Sequence, residues 1–448
     1  MKGLKFLIFL PIMALLAACA AKPAAQDPSQ WDENAVIYEV NVRQYTVPGT
    51  FNAFAQHLPQ LKQLGVNILW IMPINPISKK DRKGTLGSYY AVQNYKAVNP
   101  EFGNADDFKN LVKQAHKMGF KVILDWVANH TGRDNVWITE HPDWYVKDSL
   151  GKPLAPNGWS DVAKLDYSNK NMRAAMIDAM TYWVKDFDID GFRCDVATDV
   201  PLDFWTEAKA ALDKIKPVFM LAEGDNPAYT VKVFNMDYNW KLLHAMNQIA
   251  KGEEQVSSLD KVMQYTDSAY TSNAIKMNFI TNHDENSWTG SEYERMDGGA
   301  NTFAVLTYVW PGMPLIYTGQ EVGMKKRLLF FDKDTVSSWN NPTEFAFYQL
   351  LNELKHSQKA LNAGSGGGKM IRYVTESPWV YSFSRVLPDD SVMVVLNLSN
   401  KPQKVHFNGT IPSGKWIDWF TKQPVNISSF EGETLTPWQY QLLVSRVR

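Results

Sequence analysis

Four separated stretches put ionisable side chains at the ends of short apolar runs: Asp125-Trp-Val-Ala-Asn-His130, Arg193-Cys-Asp195, Glu223 and Thr281-Asn-His-Asp284. Arg193 and Asp195 lie two residues apart, so on a strand both side chains point to the same side. An arginine beside a carboxylate at a strand tip reads as a structural ion pair or as a charged catalytic floor. The same alternation turns Cys194 away from both, which makes it a small apolar packing residue and not a nucleophile. Taken singly, Asp125 reads as structural, Glu223 as a salt-bridge partner, and His130 or His283 as a loop histidine. Four independent ion pairs converging on one rim is a less economical account than one site.

A repeat of strand and helix could bring these stretches together. Strand-like apolar runs fall at residues 35–42, 66–73, 121–127, 189–195, 218–223, 274–281 and 314–319. Amphipathic stretches at 54–64, 105–118, 172–187, 204–215 and 302–310 read as helices, the first stopped by Gly65 and the second by Gly119. Strands of nearly continuous hydrophobicity joined by helices specify a parallel sheet buried on both faces. Such a sheet closes as an eight-stranded barrel or opens as a doubly wound sheet. No glycine-rich phosphate turn follows the first strand, so the expected fold is α/β, a (β/α)8 TIM barrel. In a barrel the C-terminal strand ends share one face, and active sites lie there.

Two regions depart from the repeat. Residues 131–171 are polar and tryptophan-bearing without a clear helix, and are expected as a short B domain inserted after the third strand. Runs at 379–384, 391–398, 404–407 and 440–445 alternate with Asp, Asn, Gly and Pro, which predicts a C-terminal antiparallel β-sandwich over 369–448. The barrel with its insertion is expected over 31–362.

The chain has 448 residues, 45% of them apolar, enough for more than one domain. Its net charge of -1, without a basic stripe, speaks against a nucleic-acid partner. Sixteen tryptophans and nineteen tyrosines offer flat faces for sugar rings, although most aromatics in any protein pack the core. At the N-terminus, Met1-Lys-Gly-Leu-Lys5 precedes an apolar run at 6–18 too short to span a bilayer comfortably. It ends Leu16-Ala-Ala-Cys19, which resembles the bacterial lipoprotein signal, in which the cysteine is lipidated and becomes the mature N-terminus. Residues 1–18 are then a signal peptide and 19–30 a tether, and the protein is exported and lipid-anchored at the periplasmic face or cell surface. Cys19 and Cys194 are the two cysteines, so a chain lipidated at Cys19 can form no internal disulfide. Oligomeric state leaves no signature in the sequence.

In order along the chain, Asp125-Trp-Val-Ala-Asn-His130, Gly191-Phe-Arg-Cys-Asp195, Glu223 and Phe279-Ile-Thr-Asn-His-Asp284 resemble the four conserved regions of the α-amylase family, glycoside hydrolase family 13. Leu165-Asp166 is similar to the short fifth region, and Ser88-Tyr-Tyr-Ala-Val-Gln-Asn-Tyr95 to the tyrosine segment after the second strand. The resemblance implies that Asp195 is the nucleophile, Glu223 the general acid and base, and Asp284 the stabiliser of a distorted sugar. It implies that His130, His283 and Tyr90 bind the same glucose and that Arg193 aims the Asp195 carboxylate. The implied reaction is retaining hydrolysis of α-1,4-glucosidic bonds in starch-like oligo- and polysaccharides, with no cofactor required for the chemistry. Asn129 matches a position that often ligates calcium in the family, so structural calcium is possible. Thr198 and Asp199 stand where many members carry a Lys-His pair on the leaving-group side, and Asn94 stands where Asp is usual.

Same-scaffold alternatives are a cyclomaltodextrinase, an α-glucosidase and an α-glucan transglycosylase. From another class comes a non-catalytic surface glycan-binding lipoprotein. Such a protein should have lost at least one of Asp195, Glu223 and Asp284, and all three are present.

Overall fold

The computed structural model describes residues 27–28 and 31–445. The predicted leader, Cys19 and most of the tether lie outside the described residues. Among those described, no helix is long and apolar enough to cross a membrane.

In chain order, strands β1 (Ile37–Val40), β2 (Ile68–Ile71) and β3 (Lys121–Trp126) are followed by a short pair, β4 (His130–Gly132) and β5 (Val162–Lys164). Then come β6 (Gly191–Cys194), β7 (Phe219–Ala222), β8 (Met236–Tyr238), β9 (Ile275–Asn278) and β10 (Met313–Tyr317). Leaving out the antiparallel pair β4–β5, the strands close into a ring in the order β1-β10-β9-β8-β7-β6-β3-β2, with parallel neighbours throughout. The expected barrel is therefore present. Strands β1, β2, β6 and β7 bury every residue, as inner packing on one face and covering helices on the other require.

Seven of the eight barrel strands fall on the apolar runs of the sequence, and β8 does not. That strand is three residues long, Met-Asp-Tyr, and its buried Asp237 pairs with Lys276 on β9 at 2.6 Å. A run so short, with a charge at its centre, has no hydrophobic period to detect. The helix expected over 54–64 is two helices, Phe51–Ala55 and Leu58–Leu64. Pro59 opens the second, where its missing N–H leaves no bond unmade. The insertion does contain a helix, Val136–Glu140, capped by the Asn135 side chain.

The C-terminal part adds β11 (Lys369–Tyr373), β12 (Val380–Leu387), β13 (Asp390–Asn397), β14 (Gln403–Lys404), β15 (Trp416–Asp418), β16 (Pro424–Val425), β17 (Thr434–Leu435) and β18 (Tyr440–Val444). Six form an antiparallel sheet, β11-β12-β13-β18-β15-β16, and β14 pairs with β17. Alternation along β13 divides its side chains between two cores. Val392, Val394 and Leu396 join the large core shared with the barrel, whereas Met393 and Val395 join a smaller one with Val405, Phe430 and Leu435. The six-stranded sheet is thus a middle layer, packed on both faces. Trp416 and Trp419 are buried in these cores, which makes them packing residues.

Candidate active site

The C-terminal ends of the barrel strands meet at one rim, and the register explains why the charged residues converge. Asp125 on β3 pairs in register with Arg193 on β6, which pairs with Leu221 on β7, two residues before Glu223. Gly191 makes the β6–β7 approach feasible: a Cβ there would lie 1.9 Å from the Phe219 carbonyl oxygen. Asp195 follows β6 directly, His283 and Asp284 follow β9, Tyr90 lies in the connection after β2, and His130 opens β4.

Arg193 is wholly buried at the centre of this rim. Its Nη1 donates to Asp125 Oδ1 at 2.9 Å and to Asp195 Oδ1 at 3.1 Å, and its Nε donates to the Tyr238 hydroxyl at 3.0 Å. Its Nη2 lies 2.9 Å from Glu223 Oε1 without the alignment of a hydrogen bond. The rings of Trp70, Tyr90 and Tyr238 flank the guanidinium. Asp125 also accepts from Trp70 Nε1 and the Tyr90 hydroxyl, so it anchors Arg193 as a buried, satisfied anion. Cys194 is free and buried, and burial pushes its thiol well up, as a packing residue requires.

One cation thus faces three carboxylates, with Asp284 a fourth nearby. Burial, and after it the Glu223 charge, pushes the Asp195 carboxyl well above the ordinary range against the pull of Arg193. Burial also raises Glu223, opposed by Arg193 and reinforced by Asp284. The pair therefore binds a proton where isolated carboxylic acids have lost theirs, and it titrates as a unit. Arg193 Nη1 gives Asp195 one aligned donor, and Glu223 has its own in the Val196 N–H, so the two share the proton and the charge as a pair. Val196, between Asp195 and the next turn, sits in the left-handed region at φ 35 and donates its N–H to Glu223 Oε2 at 2.6 Å. A β-branched residue holds that conformation only at a cost of about 1–3 kcal/mol, met by the surrounding structure.

The two histidines are held in opposite charge states. Burial lowers His130 to about 4, so it is neutral at pH 7. The Asn129 amide donates to its Nδ1 at 3.3 Å, which leaves the proton on Nε2, 4.0 Å from Asp195 Oδ2. Burial disfavours charge on His283 as well, but Asp284 and Glu39 outweigh it and hold its pKa at about 9. Its Nδ1 bonds to Glu39, and its Nε2 lies 2.8 Å from the Tyr90 hydroxyl and 3.3 Å from Asp284 Oδ2. Because the Tyr90 hydroxyl donates to Asp125, Nε2 must donate to Tyr90, so both ring nitrogens carry protons.

The residues expected as catalytic or substrate-binding, Asp195, Glu223, Asp284, Tyr90, His130, Arg193 and His283, all lie at this rim. A cavity of about 570 Å³ opens there, lined by Asp195, Glu223, Asp284, His130, His283 and Tyr90, with Arg193 beneath as the floor. Thr198 and Asp199 are exposed beside it. Glu39 escaped the sequence reading, although a lone acid inside the run 35–42 was the available signal. So did the outer wall of Lys83, Trp159, Asp161, Trp288, Phe330 and Phe331. The Asn129 side-chain nitrogen is turned to His130 Nδ1. Among the described residues no three His, Cys, Asp or Glu side chains group to hold a metal.

A family model for the α-amylase catalytic domain matches residues 24–162 and 144–360. α-Amylase MalA of Haloarcula japonica is 28% identical over 397 residues, which cover 85% of this chain and 57% of that protein. The crystal structure of an α-amylase from Lactobacillus plantarum is 31% identical and superposes with a TM-score of 0.82 over 92% of this chain and 98% of that one. That of a noncanonic maltogenic α-amylase, AmyB, from Thermotoga neapolitana is 29% identical, with a TM-score of 0.83 over 93% and 99%. Fold, rim and matched span agree: the chain belongs to the α-amylase family of glycoside hydrolases.

Proposed function

We propose that the protein hydrolyses α-1,4-glucosidic bonds of starch-like glucans with retention of configuration, and that Asp195, Glu223 and Asp284 carry the reaction. The observation behind this reading is the buried Arg193 fork, which aims Asp195 into the cavity while Glu223 shares its proton-binding environment. An Asp195 carboxylate oxygen attacks the anomeric carbon as the glycosidic bond breaks, and the leaving oxygen takes the Glu223 proton. Glu223, now a carboxylate, removes a proton from water. The water oxygen attacks the same carbon, and the ester to Asp195 breaks. Asp284 and cationic His283 hold the hydroxyls of the distorted ring, Tyr90 covers its face, and neutral His130 donates from Nε2.

Anchoring through a lipidated Cys19 belongs to the same reading, and its support is the leader and the Leu16-Ala-Ala-Cys19 sequence. The protein would then meet its glucan outside the cytoplasm, at a membrane surface.

Proton NMR of the first product from maltoheptaose tests the chemistry. The α-anomer appearing first supports a double displacement at Asp195; the β-anomer appearing first rules it out. Palmitate labelling of the full chain, lost in Cys19→Ser, tests the anchor.

A further inference from the structure

One side of the cavity is closed by segments that are bonded to one another. The connection after β2, residues 79–88, is tied to the connection after β10, residues 329–334. The Leu86 N–H donates to the Phe331 carbonyl at 2.9 Å, and the Thr85 N–H and hydroxyl both donate to Asp332 Oδ1, at 2.8 and 2.6 Å. Gly84, at φ +61, passes so close that a Cβ would lie 2.5 Å from Phe331 Cβ. Gln44, just after β1, backs this seam by donating to the Asp332 carbonyl at 2.9 Å and accepting the Asp334 N–H at 2.6 Å. Towards the insertion, the Lys79 and Lys80 N–H groups donate to Asp134 Oδ2, and Lys83 pairs with the buried Asp161 at 3.0 Å.

The position of this wall gives it a chemical meaning. It is built by connections that follow β10, β1 and β2, which are adjacent in the ring. β7, which delivers Glu223, lies four places from β1 in either direction, diametrically opposite. The group that protonates the leaving oxygen marks the side from which the reducing-end part of the chain departs. The wall therefore encloses the other part, where a glucan would continue through O4 towards its non-reducing end. The cavity over the floor holds about 570 Å³, within the range of a pocket for a small ligand, and Lys83, Phe330 and Phe331 of the wall are part of its lining. Beyond Tyr90, the Phe330 ring lies parallel to it at 6.2 Å, and the half-exposed Trp288 follows at 5.0 Å from Phe330, which gives a second sugar ring an aromatic face.

Resting on the hydrolase reading above, we infer that this wall caps the non-reducing end of the glucan. The enzyme then removes one or two glucose units at a time from chain ends and does not cut within a chain.

The test compares maltoheptaose labelled at its reducing end with the same substrate whose non-reducing O4 and O6 are blocked by an ethylidene group. The expected result is a labelled ladder that shortens by a fixed step of one or two units, and capped substrate cleaved more slowly by about two orders of magnitude, the scale on which a closed pocket rejects a small added group. β-Cyclodextrin, which has no end, is expected to resist. Asp332→Ala removes the staple without touching the cavity lining, and should raise turnover of the capped substrate at least about tenfold with the uncapped rate kept within about twofold. The wild-type comparison decides the matter even where that variant fails to fold. Equal rates on capped and uncapped chains, or rapid opening of the cyclodextrin, overturn the inference and leave the hydrolase reading standing. No turnover of any of these glucans overturns both.

Discussion

Three arginines, Arg43, Arg193 and Arg385, are almost completely buried, and the surroundings of the last two show what separates a working charge from a fastening one. Arg385, on β12, gives its Nε to the Gly368 carbonyl at 2.7 Å and its two terminal nitrogens to the carbonyls of Val309 and Asn362. These neutral acceptors do not offset the loss of water, and burial lowers its pKa to about 10. Arg193 also suffers burial, but Asp125 and Glu223 outweigh it and hold its pKa well above the ordinary value. The Arg385 site is closed and knits the C-terminal sheet to the barrel. The Arg193 site carries an excess of negative charge and opens on a cavity. A surplus of charge with access to substrate is what acid–base and nucleophilic chemistry needs; a satisfied cation without access is structural.

The contrast can be broken most decisively at Asp195, the proposed nucleophile. Asp195→Asn should lower kcat by about four orders of magnitude or more, because the covalent route is lost. Reducing-sugar release with deamidation excluded measures it, and near-normal turnover would sink the assignment. Next comes the floor itself: Arg193→Lys keeps the charge and loses the fork, and should cost about two to three orders in kcat. A loss confined to KM would show that Arg193 merely shapes the pocket.

A smaller effect is expected at Glu39. His283 lies above its unfolded value of about 6.5, so its ionic contacts contribute stability that is fully present below that pH and lost as pH rises through about 9. Glu39→Gln removes one of the two neighbouring anions and leaves Asp284, with Arg193 opposing. The His283 midpoint, followed by NMR, should fall, and the alkaline edge of activity with it; an unmoved midpoint contradicts the ion-pair account. The comparison closes with Arg385→Met, which should leave kcat/KM within about twofold while costing about 1–3 kcal/mol in urea unfolding, because buried carbonyls lose their donor. Lost activity in a folded Arg385→Met variant would erase the distinction.

Much of the site was legible because strand ends announce themselves. Asp125, Arg193, Glu223 and Asp284 each terminate or follow an apolar run, and a parallel barrel leaves those ends one face on which to meet. Glu39 was harder: it lies inside its run, and its partner His283 is 244 residues away. The wall was invisible for the same reason, since Thr85 and Asp332 are 247 residues apart and neither belongs to a periodic element. β8 escaped through brevity and its central aspartate. Periodicity reports what an element does with its own neighbours, and bonds between distant loops leave no period.

The middle-layer sheet has a consequence for how the protein comes apart. The helix Ala300–Val309 is buried on every side except at Asn301, because the barrel covers one flank and the C-terminal sheet, through Tyr381, Phe383, Val392 and Val394, shares its apolar cluster. Detaching the sheet would bare a helix without a polar face to show to water. A truncation before β11 should therefore yield a sticky, aggregating barrel, and heat should melt sheet and barrel in a single cooperative step.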